Sequence, residues 1–277
     1  MNLGVGFGIA AALAFGGGDF TGGLASRRVA GVTVVAVAQA IGFVLLIALV
    51  AASRTPLPDV GSLLIAAAAG ACGSLGLLAL YRGLAMGSMG VVTAISGVGS
   101  VALPLLIGYA LGRSPVAPLQ WLGVGVAMAA VAAASGATRA GIRPEAVAMG
   151  AIAALFFGVW FVGLDLAAAH DRAWPLLVSR GSATLLMGTA ALARRDAAGV
   201  RGAWPLMLAA GILDVAGNAA FVQSRATIPV GVAAALSGLY PIVTMLLARL
   251  FLRESLPALG VVAVALAVGG ISLISLG

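Results

Sequence analysis

Gly231-Val232-Ala233-Ala234-Ala235-Leu236-Ser237-Gly238-Leu239-Tyr240-Pro241 is apolar, rich in small residues and closed by a proline. A version of it occurs earlier, as Gly90-Val91-Val92-Thr93-Ala94-Ile95-Ser96-Gly97. At a constant offset of 141, five of these eight positions are identical. An apolar segment used twice in one chain marks an internal duplication, so the fold is read as two copies of one unit.

The rest of the chain has the same character. Of 277 residues, 62% are hydrophobic and 8% charged, against roughly a quarter charged in a soluble domain. The solvent for that much apolar surface is lipid. The net charge of +7 comes from 15 arginines, with no lysine. A strongly basic soluble chain would point to nucleic acid. Here the arginines stand singly or in pairs between apolar runs, as membrane-flanking anchors do, and no nucleic-acid partner is expected. The one cysteine, Cys72, lies inside an apolar run, so there is no disulfide framework. Met1-Asn2-Leu3-Gly4 carries no basic segment. The first apolar run is therefore expected to be a retained span and not a cleaved leader.

Runs of about 20 apolar residues mark spans. Ten are expected: 3–25, 31–52, 61–81, 87–111, 117–136, 146–169, 174–193, 204–224, 228–251 and 257–276. Charge and turn residues separate them, as in Ser26-Arg27-Arg28, Arg113-Ser114-Pro115, His170-Asp171-Arg172 and Arg194-Arg195-Asp196. The repeat extends over these runs. Ile9 to Gly16 matches Ala151 to Gly158 at offset 142, and Leu119 to Gly123 matches Leu256 to Gly260 at offset 137. The halves are then 1–140 and 141–277, five spans each. An odd number makes the second half enter from the opposite side. An all-α membrane protein of two inverted five-helix repeats follows, with a binding site expected near the midplane between them.

Each half opens with a Leu-x-Phe-Gly segment (Leu13 to Gly16, Leu155 to Gly158) and ends in a small-residue helix. In this the chain resembles the EamA family of the drug/metabolite transporter superfamily. In that family the fourth span of a repeat often ends in an acidic residue followed by a small polar one. The second half has this, as Leu252-Arg253-Glu254-Ser255-Leu256; the first half departs from it, with Arg113 in Leu111-Gly112-Arg113-Ser114-Pro115. The resemblance implies a transporter, and an exporter of amino acids or similar metabolites in particular.

Arginine counting gives an orientation. Loops and helix ends after odd-numbered spans carry ten (Arg27, Arg28, Arg82, Arg139, Arg143, Arg194, Arg195, Arg201, Arg249, Arg253); the other side carries four (Arg54, Arg113, Arg172, Arg225). This bias puts the odd-numbered loops in the cytoplasm and both termini outside, in a multi-pass protein of the cell (inner) membrane.

Ionisable residues inside spans are costly in lipid and are functional candidates by default. Asp214 is central in the eighth span, with Asn218 one turn on along the same face. It reads as a wall of the site, or as one end of a structural ion pair. Arg180 corresponds in the repeat to Gln39. It reads as a carboxylate or phosphate clamp, or as Asp214's permanent partner. Asp19 follows Gly16-Gly17-Gly18 and precedes Gly22-Gly23. Five glycines in eight residues admit a locally unwound span or, alternatively, a close-packing GxxxG face. Asp165, near a span end, reads as loop-facing. Trp160, near a span centre, can stack on a substrate or simply pack. Tyr240 with Ser237 and Thr244 makes a hydroxyl stripe on a helix expected to kink at Pro241, as the fourth span is at Pro104; the hydroxyls either line a path or bond back to their helix.

Enzyme signatures are absent, and no cofactor or metal is expected. Gly6-Phe7-Gly8-Ile9-Ala10-Ala11 resembles a dinucleotide fingerprint only as a pattern, inside an apolar run. The lone His170 reads as a solvated loop residue. The reading is a secondary transporter of a small polar or amphipathic metabolite, with protons as a candidate coupling ion and the oligomeric state open. The alternatives are a proton-coupled multidrug exporter, and, from another class, a membrane scaffold or an intramembrane enzyme.

Overall fold

The computed structural model describes residues 3–53, 56–112, 116–137, 141–167, 173–194 and 199–277. The loop charges Arg54, Arg113, Arg139, His170, Asp171, Arg172, Arg195 and Asp196 lie outside the described residues. All regular structure among the described residues is helical. The first half comprises α1 (Leu3–Ala25), α2 (Gly31–Ser53), α3 (Val60–Ala85), α4 (Met89–Ala110) and α5 (Pro118–Ala137). The second comprises α6 (Pro144–Ala167), α7 (Ala173–Arg194), α8 (Val200–Thr227), α9 (Val230–Ser237), α10 (Tyr240–Leu252) and α11 (Ala258–Leu276). Nine stretches among the described residues are long and apolar enough to cross a membrane, with Val232–Leu252 counted as one; Pro118–Ala134 is a shorter apolar helix.

Helix boundaries follow from the chain's own punctuation. Asp59 caps α3, its carboxylate accepting from the Ser62 amide at 3.0 Å. The ninth span is interrupted at the expected proline, with Gly238 and Leu239 still near helical dihedrals. α9 stops at Ser237, Gly238 and Leu239 form a turn, and α10 restarts at Tyr240. Pro241 falls in the first turn of α10, where its missing N–H needs no intrahelical partner. Pro104, by contrast, stays inside a continuous α4. The unwinding considered at Asp19 does not occur, because α1 runs unbroken through all five glycines. Those glycines admit neighbours instead: a Cβ on Gly22 would lie 2.2 Å from the Tyr81 ring, and one on Gly16 would lie 2.7 Å from the Tyr240 carbonyl.

The interfaces come in pairs under exchange of the two halves. α1 packs on α8 and α3 on α6; α4 packs on α6, and α9 and α10 on α1. α2 meets α7, and α5 meets α11. Individual contacts repeat as well. Gly76 faces Phe157, and Gly217 faces Phe15; Gly70 faces Ser179, and Gly211 faces Ala38 and Ile41. Each member of these pairs lies 141 or 142 residues from its twin.

Candidate functional site

Where the two halves meet, the helices leave a cavity of about 680 Å³. Its walls come from both halves. Asp19, Gln39, Trp160, Arg180, Asp214, Asn218, Ser237 and Tyr240 all line it. The lining reaches the C-terminal ends of α4, α6 and α11, where Leu111 and Asp165 are exposed, and stops at Leu80 on the other side. Asp165 thus stands at the mouth.

Arg180 anchors the polar wall. Its Nη2 donates to Asp214 Oδ2 at 2.6 Å, and its Nη1 donates to Gln39 Oε1. The Arg180 side chain is 11% exposed and that of Asp214 33%, so the guanidinium is sunk in the bundle while the carboxylate faces the cavity. Asn218 turns back to its own helix, its Nδ2 donating to the Asp214 carbonyl at 2.7 Å. Asp19 forms no hydrogen bond or ion pair with any described residue. The guanidinium that could have answered it is already shared between Asp214 and Gln39.

The apolar walls are aromatic. Trp160 packs edge-on against Phe161 with ring centroids 4.6 Å apart, and its indole N–H donates to the buried Ser179 hydroxyl at 3.0 Å. Gly73 makes room for that indole, since a Cβ there would lie 2.8 Å from it. Tyr240 meets Phe15 edge-on at 6.5 Å and donates its hydroxyl to the Thr93 carbonyl at 3.3 Å. Gly97 lets that hydroxyl in. The hydroxyl stripe divides. Ser237 lines the cavity, with its hydroxyl bonded back to the Ala234 carbonyl. Thr244 is wholly buried and ties α10 to the Gly16 carbonyl of α1 at 3.1 Å.

Residues 145–276 match the model of the EamA-like transporter family. The second half of the chain is EamA-like. Together with the apolar helices, that match supports a membrane transporter. A solved crystal structure resembles this one over 98% of this chain and 96% of its own, with a TM-score of 0.63 at 18% identity, which shows the shared fold alone. No curated protein matches the sequence.

The EamA-like half supplies Trp160, Arg180, Asp214, Asn218, Ser237 and Tyr240; the first half adds Asp19 and Gln39. Sequence reading overlooked Ser179, Phe157 and Phe221, which also line the cavity. It also overlooked a swap that the offset of 141 contains: Asp214 corresponds to Gly73. In one half α8 carries the polar group and α1 the small residue beneath it, Gly18. In the other half α3 carries the small residue and α6 the bulky one, Trp160.

Proposed function

We propose that this chain is a secondary transporter for a small polar or amphipathic metabolite bearing an amine, an amino acid or similar compound. It works by alternating access between two inverted five-helix halves, 1–140 and 141–277, in ten passes. The paired interfaces and twinned glycine contacts support that architecture.

One observation carries the substrate class. At mid-depth, Asp19 and Asp214 face the cavity against one cation, Arg180, and Asp19 has no partner among the described residues. A bare carboxylate in an apolar bundle calls for a positive group from the ligand. Aromatic rings of Phe15, Trp160 and Tyr240 suit the apolar part of such a ligand and add cation–π attraction. Protons are the coupling ion this arrangement admits, because the carboxylate that holds an ammonium also holds a proton. The arginine bias favours the outer side of the cell membrane for the mouth, at the ends of α4, α6 and α11. Outward transport comes from the EamA resemblance.

The test is counterflow into liposomes holding the purified protein, with amino acids, simple amines, lipophilic cations, sugars and nucleotides as the panel. Amine-bearing compounds are expected to exchange, and Asp19→Asn is expected to abolish that exchange. Exchange confined to sugars or nucleotides would refute the substrate class. Preference for lipophilic cations over amino acids would favour the multidrug alternative.

A further inference from the structure

At the end of the bundle away from the cavity mouth, one polar contact joins the two halves. Glu254 lies just beyond α10, and its Oε1 accepts from the Met89 amide at 2.9 Å. Met89 opens α4, so its N–H is one of the first four that have no acceptor within their helix. Ser88, the residue ahead of it, makes no side-chain cap. Glu254 therefore caps α4 from the other half of the chain.

The backbone on both sides of this contact is unusual. Ser88 and Arg253, immediately before the two partners, have φ of 56° and 54°, the non-glycine residues with positive φ among those described. Side chains rarely adopt this region, and it persists only where the surroundings hold it. Those surroundings are tight. Met89 is wholly buried in one core with Tyr81, Leu84 and Val92. Gly90 brings α10 close, since a Cβ there would lie 2.7 Å from Met245. The second carboxylate oxygen of Glu254 is buried without a partner among the described residues. The charged neighbours are Arg27, beyond α1, and Arg143, ahead of α6, with Arg253 next in the chain. The end of α3 that meets it, Ala85 to Gly87, is uncharged.

The repeat makes the contact one-sided. At offset 141, Leu252-Arg253-Glu254 answers to Leu111-Gly112-Arg113, and Met89 answers to Val230, the first residue of α9. Gly112 even takes the same left-handed backbone, with φ of 65°. An arginine, however, has no acceptor to offer an amide. At the end where the cavity opens, the position that answers to Glu254 therefore encodes no such cap.

We infer that Glu254 is a one-sided latch, holding the ends of α4 and α10 together and biasing the transporter toward the state open at the opposite end. The inference rests on the alternating-access reading, and its test separates the two. On a Cys72→Ala background, Thr93→Cys reports the closed end, being wholly buried one turn into α4, and Ser275→Cys reports the open end of the cavity. Maleimide labelling rates are measured in detergent, where both ends meet solvent. Glu254→Ala strips the Met89 amide of its acceptor, which shifts the equilibrium by roughly tenfold. Labelling of Thr93→Cys is expected to rise by about that factor while that of Ser275→Cys falls. Glu254→Gln keeps a carbonyl acceptor and is expected to stay near wild type. Unchanged Thr93→Cys labelling in a folded Glu254→Ala protein overturns the latch. A rise at Thr93→Cys with no fall at Ser275→Cys overturns alternation between the ends, and the latch with it. If Glu254→Ala does not fold, Ser88→Gly decides. Glycine relieves the left-handed strain and tightens the latch, so Thr93→Cys labelling falls below wild type; an unchanged rate overturns the inference.

Discussion

Neutralising Asp214 and Arg180, singly and together, measures how far their pair is structural. In Asp214→Asn the guanidinium, only 11% exposed, keeps Gln39 but loses its counter-charge. Breaking a buried pair by removing one partner costs roughly 3–5 kcal/mol, and the surviving Gln39 bond puts this case near 3. In Arg180→Gln the stranded carboxylate is 33% exposed to the cavity, so water takes over part of the lost contact. About 1–2 kcal/mol is expected there. The double mutant leaves no stranded charge and recovers most of the loss, giving a coupling of about 3 kcal/mol. The assay is thermal melting in detergent beside transport in liposomes. The expected order of stability is wild type, double mutant, Arg180→Gln, Asp214→Asn. A double mutant as unstable as the sum of its parents would refute the coupling. Wild-type transport at wild-type stability in all three would remove the pair from the mechanism.

Gly73→Val drives a side chain into the Trp160 indole and its bond to Ser179; about 1–3 kcal/mol of stability and most transport should be lost, with unchanged transport placing Trp160 outside the path. Glu254 gives a pH dependence. Burial pushes its carboxyl above the ordinary glutamate range, against the pull of the Met89 and Ser88 amides and Arg27. Latching therefore favours the protonated form, and the latch weakens as pH rises from the ordinary glutamate range through the raised value. Thr93→Cys labelling, divided by that of the same protein in Glu254→Gln at each pH to remove the thiol's own ionisation, should climb over that window; a ratio that falls with rising pH would contradict the sign. For orientation, Pro56→Cys should label from outside intact cells and Arg201→Cys only after permeabilisation, and the reverse would invert the topology.

The helices were legible because lipid allows few other choices. Backbone groups in an apolar medium must be satisfied within the helix, so apolar length alone predicts spans to within a few residues. The same rule explains why α1 stays helical through its glycines: unwinding would strand amides, and close packing by Tyr81 and Val243 replaces the missing side chains. The interruption at Gly238 and Leu239 was legible as a bend at Pro241 but not in its detail, because proline suits both a kink and a first turn. Asp214, Arg180, Asp19 and Trp160 stood out as polar or bulky groups in apolar runs. Ser179 did not, since a serine in a helix reads as bonded to its own backbone, and only Trp160 shows otherwise. Glu254 was visible as a family feature, but its partner lies 165 residues away and belongs to the other half.

Symmetry and its violations have different jobs in this chain. Where the halves repeat, the contacts are packing: Gly76 on Phe157 with Gly217 on Phe15, Gly70 on Ser179 with Gly211 on Ala38. Where they differ, the difference removes a conflict or creates a charge. α2 and α7 face each other across the two halves, so their twin positions, Gln39 and Arg180, come into contact. Two arginines there would set cation against cation in an apolar bundle, and two glutamines would leave Asp214 unanswered. One of each lets Gln39 accept from Arg180 while the charge turns to Asp214. Gly73 opposite Asp214 in the alignment follows the same logic, since a second aspartate would outnumber the single guanidinium still further. What remains uncompensated is Asp19, whose counterpart at offset 142 is Phe161. On the proposed function, a bundle that pairs Asp214 with Arg180 and leaves Asp19 without a partner among the described residues is the arrangement a cationic group of the ligand would complete.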